Sequence, residues 1–456
     1  MFVRCKIKDF IFFLKISIFR RPAIRLFRSL LGESKLSLSD REKIIVRRLA
    51  DLIRHAYENT EFYRWHYDNH GFDVASFKTL DDMRRIPVVT KEHLALHSSE
   101  FCDSKCSTKK FKKSVTGGSS GVPTTVYHDG RVNLEGFGWY LMTLWGGQPA
   151  SNAAFLERYN PSAKSRLKYL LNQFIWWPTR RAHLNITNVT EERFWEFYNS
   201  CLDVKPVYLE GYIGAIQEFA HFVLANQLQL PSVRFVWTTS APLTESTRKI
   251  ISKAFQCPVY DQYGCCEVYW LGAEVCSQQG LHVFDTYRHI EVVDNIGEYC
   301  NTDEYGSVLL TDMLNYAFPL IRYENGDRAA WAPECPCEVT QFRRLRPVKG
   351  RVSENISLPK GGFIAGEFLT TIFDDFPNAV SQFQVVQNED YSILVNFVAC
   401  SGDLAEQELV GAKEYISGVF LNAELGFELC SVSMIPHDEG KLRYVISNVS
   451  KSHLTA

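Results

Sequence analysis

No apolar run in the sequence reaches the roughly 20 residues that a membrane-spanning helix needs, because Lys15, Arg20 and Arg21 interrupt the most hydrophobic stretch. There is no global surplus of positive charge either. With 50 Lys and Arg against 52 Asp and Glu, the formal net charge of -2 excludes the broad basic surface that draws nucleic acid to a whole protein. No Lys closes a glycine-rich loop at Walker A spacing, which excludes the P-loop kinase and GTPase classes. Internal repeats and low-complexity segments are missing. Thirteen cysteines are present, but without a secretory signal and small-residue cleavage site they read as reduced thiols of a cytoplasmic protein.

What is present is ample. A chain of 456 residues with 46% hydrophobic content can bury a large core and form more than one domain. Residues 1–31 combine Arg4, Lys6, Lys8, Lys15, Arg20, Arg21, Arg25 and Arg28 with Phe10, Ile11, Phe12, Phe13, Leu14, Ile16, Ile18 and Phe19. That composition suits a basic amphipathic helix in peripheral contact with the inner face of a membrane, and equally a helix packed on its own domain. Residues 41–94 show helical spacing at Leu49, Leu52, Ile53 and Ala56. From Lys112 onward, strand-like segments 233–239 and 258–260 alternate with helical segments 213–225 and 244–255, the rhythm of an α/β fold. After Gly350 the rhythm changes, with strands expected at 383–386, 392–398 and 430–435 around a helix at 405–420. The domains expected are therefore the segment 1–31, a large body over 32–350 and a small α+β unit over 351–456, with Pro347 and Gly350 at the junction.

Two groups of residues suggest chemistry. Between apparent strands lies Val115-Thr116-Gly117-Gly118-Ser119-Ser120-Gly121-Val122-Pro123-Thr124-Thr125. Its glycines let the backbone approach an anion, while main-chain N–H groups and the hydroxyls of Thr116, Ser119, Ser120 and Thr124 can donate to phosphate oxygens. A surface turn would have the same composition. Elsewhere Cys276, His282, Cys335 and Cys337 supply thiolate and imidazole, the ligands of a closed structural Zn²⁺ site. Buried, unliganded thiols are the equal alternative.

The glycine and serine loop, Tyr263-Gly264-Cys265-Cys266-Glu267, Ile321-Arg322-Tyr323-Glu324-Asn325-Gly326-Asp327, Gly350-Arg351 and Gly440-Lys441-Leu442-Arg443 follow one another in the order and spacing of adenylate-forming enzymes. Over most of its length the sequence resembles their phenylacetate–CoA ligase branch and the related CapK-like proteins of capsule biosynthesis, whose leading segment is similar to Asn59-Thr60-Glu61-Phe62-Tyr63-Arg64 and Ile86-Pro87-Val88-Val89-Thr90-Lys91. The resemblance implies a large N-terminal adenylate-forming domain with β-sheets flanked by helices, a small mobile C-terminal lid, and an active site between them.

It further implies that Glu267 holds Mg²⁺, that Asp327 accepts hydrogen bonds from ribose hydroxyls, and that Tyr263 with Gly264 lies near adenine and Arg351 near ribose or phosphate. Lys441 becomes the residue that stabilises charge during attack on the α-phosphorus. Glu354, after Ser353, becomes the hinge. Three departures stand out: Cys266 replaces a threonine that donates to the α-phosphate, and a thiol is the weaker donor; Ser353-Glu354 replaces an acidic pair at the hinge; Asn325 replaces a hydroxyl residue before Gly326.

The activity implied is activation of a carboxylic acid by ATP as acyl-AMP, then acyl transfer to coenzyme A. Transfer of acyl or AMP to an amine, an amino sugar or another acceptor in surface polysaccharide synthesis remains the alternative, as does a silent nucleotide-binding protein. Phe137, Trp139, Tyr140, Tyr212 and Trp237 suit an apolar acid pocket or simply the core.

Overall fold

The computed structural model describes residues 7–106, 111–116, 124–158, 170, 174–187, 189–241, 243–275, 280–334, 337–348, 355–370, 372–373, 375–376, 378–435 and 444–449. Among the described residues the leading segment forms two helices rather than one, α1 (Ile7–Phe19) and α2 (Arg21–Glu33), because Pro22 lies in the first turn of the second and removes a backbone donor there. Helices α3 (Leu38–Asn59), α4 (Glu61–Asn69) and α5 (Lys91–His97) follow, each opened by a hydroxyl cap. Ser37 accepts from Asp40 N, Thr60 from Tyr63 N and Thr90 from His93 N; such caps contribute about 1 kcal/mol each.

Strands β1 (Phe111–Thr116) and β2 (Thr124–Asp129) pair antiparallel, so the glycine and serine loop connects a hairpin. Its residues 117–123 lie outside the described residues. Helix α6 (Glu135–Leu144) leads into the central sheet. Among the described residues this sheet comprises β3 (Ala153–Glu157), β4 (Arg181–Asn185), β5 (Tyr208–Tyr212), β6 (Phe235–Thr239), β7 (Val259–Tyr263), β8 (Gly272–Glu274), β9 (Leu281–Val283) and β13 (Arg344–Leu345), ordered β13-β9-β8-β7-β6-β5-β3-β4.

Strands β3 to β7 run parallel, and β8, β9 and β13 close one edge antiparallel. Parallel strands are covered on both faces, and alternation along each strand assigns the two sides. Ala154, Leu184, Leu209, Val236 and Val259 face α7 (Glu191–Val204), α8 (Ile213–Ala225) and α9 (Glu245–Phe255), whereas Ala153, Tyr208, Phe235 and Trp237 face α6, α1 and α2. A second sheet, β10 (Arg288–Val293), β11 (Gly306–Asp312) and β12 (Tyr323–Ala329), packs with α3 and α4 around a separate core.

The C-terminal part begins with the short pair β14 (Ile356–Ser357) and β15 (Phe363–Ile364) and the turn of helix α10 (Gly366–Leu369). It continues as a four-stranded sheet of β16 (Val380–Gln387), β17 (Ile393–Ala399), β18 (Phe427–Ser431) and β19 (Val445–Ser447), covered by α11 (Asp403–Asn422). The strand expected at 430–435 lies earlier in the chain, because β18 forms where it can pair parallel with Ile393 to Phe397. This part shares one apolar core with α7 and α8: the Phe363 and Phe194 rings lie 6.0 Å apart, and Phe363 exchanges backbone hydrogen bonds with Val189.

Candidate active site

The carboxyl ends of parallel strands are the usual place for a ligand in an α/β sheet, and β7 ends there on Tyr263. Gly264 follows of necessity: a Cβ at this position would come 1.7 Å from the Tyr269 carbonyl oxygen. The chain then turns through Cys265, Cys266 and Glu267, with the Cys265 carbonyl accepting from Tyr269 N at 2.6 Å.

Strand β12 brings the second half of the site. Between the pairs Ser307↔Arg328 and Leu309↔Glu324, its residues Asn325, Gly326 and Asp327 stand opposite Val308 alone, a bulge that lifts them out of the ladder. Gly326 takes φ +84° at this point, which glycine adopts without a Cβ penalty. The bulge carries Asn325 and Asp327 to the end of β7. The Tyr263 hydroxyl donates to Asp327 Oδ2 at 2.8 Å, and Asn325 Nδ2 donates to the same oxygen at 2.8 Å and to the Tyr263 hydroxyl at 3.1 Å. One strand position earlier on this face, the Tyr323 hydroxyl donates to Glu267 Oε1 at 3.0 Å. Two carboxylates from distant segments are thus each oriented by a phenol.

The electrostatics follow from burial. The Tyr263 hydroxyl is pushed well up by burial and by the Asp327 charge, so it remains a donor. Burial, with Glu267 and Asp327 adding to it, also holds the Cys265 thiol protonated. His128 on β2 stacks on Tyr269 with centroids 4.3 Å apart. Burial and then the Lys112 charge lower it to about 4, against a backbone hydrogen bond to Cys266. This neutral imidazole joins the hairpin to the turn that bears Glu267.

The leading segment locks onto β12. Val89 N donates to the Arg322 carbonyl and Glu324 N to the Val89 carbonyl, while the buried Arg322 guanidinium pairs with Glu291 at 3.0 Å and donates to the Ile86 carbonyl at 2.6 Å. Lys91 Nζ consequently lies 3.0 Å from where a Cβ of Gly326 would be.

Of the residues expected from sequence, Tyr263, Gly264, Cys266, Glu267 and Asp327 are brought together. Gly117, Gly118, Ser119, Ser120, Gly121, Arg351, Glu354 and Lys441 lie outside the described residues, and of Thr116 and Thr124 only the strand backbones are described. Asn325, noted only as a departure, turns out to orient Asp327. His128 was missed; its place on the strand leaving the glycine and serine loop was the available signal. Phe137, Trp139, Tyr140 and Trp237 are core residues, and Tyr212 is half-buried.

Cys276 and Cys335 also lie outside the described residues. His282 on β9 is buried, with neither ring nitrogen hydrogen-bonded among the described residues, and Cys337 is buried. Among the described residues no group of three or more His, Cys, Asp and Glu is placed to hold a metal ion, and no disulfide joins two cysteines.

A family model, the CapK C-terminal domain, matches residues 356–448. Over 413 residues the chain is 21% identical to the protein CapK of Staphylococcus aureus, with 88% of each chain covered. Over 431 residues it is 23% identical to the phenylacetate-coenzyme A ligase of Thermus thermophilus, covering 89% of this chain and 88% of that one. Over most of its length the chain is thus similar to a CapK protein and to phenylacetate-coenzyme A ligases. A solved structure of 2-hydroxyisobutyryl-CoA ligase with 2-HIB-AMP and CoA in the thioesterification state shares the adenylate-forming fold at a TM-score of 0.61, over 91% of each chain and at 18% identity. The open conformation of that ligase gives 0.56.

Proposed function

We propose that this adenylate-forming enzyme activates a carboxylic acid with ATP and passes the acyl group to coenzyme A. The observation that carries the reading is the pairing of Asp327, held by Tyr263 and Asn325, with Glu267, held by Tyr323, at the carboxyl end of β7. Asp327 is suited to accept from the ribose hydroxyls because an ionised carboxylate is acceptor-only. Glu267 offers a hard oxygen ligand of the kind Mg²⁺ takes, and that ion would neutralise charge on the phosphate oxygens. An oxygen of the acid attacks the α-phosphorus and pyrophosphate leaves; the thiol of coenzyme A then attacks the acyl carbon and AMP leaves. Lys441 carries the charge developing in the first step. His282, a buried imidazole without a hydrogen-bond partner among the described residues, supports a structural zinc shared with Cys276, Cys335 and Cys337. Metal analysis of chelator-washed protein should find about one equivalent, and a value near zero removes that site.

The enzyme is tested by hydroxylamine trapping with ATP, Mg²⁺ and pooled aryl, fatty and hydroxy acids, read by mass spectrometry. A hydroxamate that falls by roughly 10²–10³ in Lys441→Ala supports acyl adenylation and names the acid class. No hydroxamate while ATP still binds shifts the reading to AMP transfer or to a silent nucleotide-binding protein.

A further inference from the structure

We propose that the outer side of α1, together with Phe174 and Trp177, is a docking surface for an anionic membrane. Helix α1 answers both sequence readings at once. Phe12 and Ile16 are fully buried against the domain, whereas Phe10, Leu14 and Ile18, at i, i+4 and i+8, form a ridge that is 64%, 54% and 57% exposed. Phe19 is exposed at the end of the ridge, edge-on to the Phe174 ring at 6.4 Å. Trp177 is 55% exposed.

The patch is fastened from beneath. Lys15 is buried, and its ammonium donates to the carbonyls of Phe174 and Trp177 while lying 5.0 and 4.9 Å from their rings. A cation and two carbonyls are thereby used to hold apolar side chains outward. Contiguous exposed apolar surface of this kind marks an interaction site rather than ordinary exposure.

Charge decides the partner. Residues 1–31 hold eight basic residues against one acidic residue, Asp9, a net of +7, so the remainder of a chain with total charge -2 carries -9. The basic surplus thus belongs to the same stretch of chain as the apolar ridge. Arg21, Arg25 and Arg28 are exposed on α2, and Arg21 Nε donates to the Ser17 carbonyl, which places it over the last turn of the ridge. Aromatic and aliphatic side chains at acyl depth with arginines at headgroup level match an interfacial helix, and tryptophan favours that boundary. No helix among the described residues is long and apolar enough to cross a membrane, so the contact is peripheral.

The test is sedimentation of the full chain with phosphatidylserine-containing vesicles and with purely phosphatidylcholine vesicles. Leu14→Glu/Ile18→Glu and Arg21→Glu/Arg25→Glu are assayed alongside, after their thermal midpoints are shown to match the parent. Binding to anionic vesicles that is at least tenfold stronger than to neutral ones, and that falls at least tenfold in each double variant, is the expected result. Equal sedimentation of parent and variants overturns the proposal. So does a parent that forms dimers without lipid while the ridge variant is monomeric, since a second copy would then be the occupant.

Discussion

The Tyr263 hydroxyl lies 2.8 Å from Asp327 Oδ2 although 64 residues separate the two. A strand end and a bulge on another sheet meet there, and the hydrogen bond is what makes them one site. The oxygen that accepts from Tyr263 also accepts from Asn325, so the carboxylate keeps the Asn325 donor if the phenol is removed.

Tyr263→Phe should therefore weaken Mg·ATP binding by about 5–10-fold rather than abolish it, as loss of roughly 1 kcal/mol would do. Isothermal titration of parent and variant reads this directly. An unchanged Kd would mean that Asp327 needs no help from the phenol.

Cys266 is exposed between the half-buried Cys265 and the buried Glu267. If it faces the α-phosphate, Cys266→Thr replaces a weak donor by a better one. Adenylation, followed by pyrophosphate release, should then rise by about 3–10-fold, close to what 1 kcal/mol off the barrier gives. A rate that stays level or falls would remove Cys266 from that role.

The Arg322–Glu291 pair is buried, and Arg322 also donates to the carbonyls of Arg84 and Ile86. Glu291→Gln leaves the guanidinium charge without its counterion, which costs about 3–5 kcal/mol. The urea midpoint should fall accordingly, and protease sensitivity should increase first in the leading segment that Arg322 ties to β12.

Glu210 on β5 is pushed up from an ordinary 4.5 to about 8, first by burial and then by the Glu157 charge, with Arg181 opposing. Between those two values the folded protein binds the proton that the unfolded chain has released, so this group makes stability fall as pH rises from about 4.5 to about 8. Glu210→Gln removes that slope. Its melting temperature should exceed the parent's by a few degrees at pH 8.5, and the difference should vanish near pH 4.5. Parallel curves at all pH values would show that Glu210 titrates normally.

Much of the fold was legible because local rules agreed with the tertiary outcome. The helices at 213–225 and 245–255 show the expected periodicity, and the second opens at a threonine cap. The strand at 427–431 was displaced in the sequence reading since pairing with β17, not apolar content, sets its limits. Likewise the sequence of α1 is apolar on nearly all sides, and spacing could not tell Phe12 from Phe10; only the surface beneath the helix does.

The order of the motifs, and with it the family, is a property of the sequence by itself, because each motif is a short run whose residue types its chemistry demands. Tyr263, Glu267 and Asp327 were named from those runs. That Tyr263 and Asn325 orient one carboxylate, and Tyr323 the other, was decided by tertiary structure alone. The bulge opposite Val308 exists only when β11 and β12 pair, and its tip reaches the end of β7 only when the two sheets have packed, with Tyr263 and Tyr323 in one apolar core.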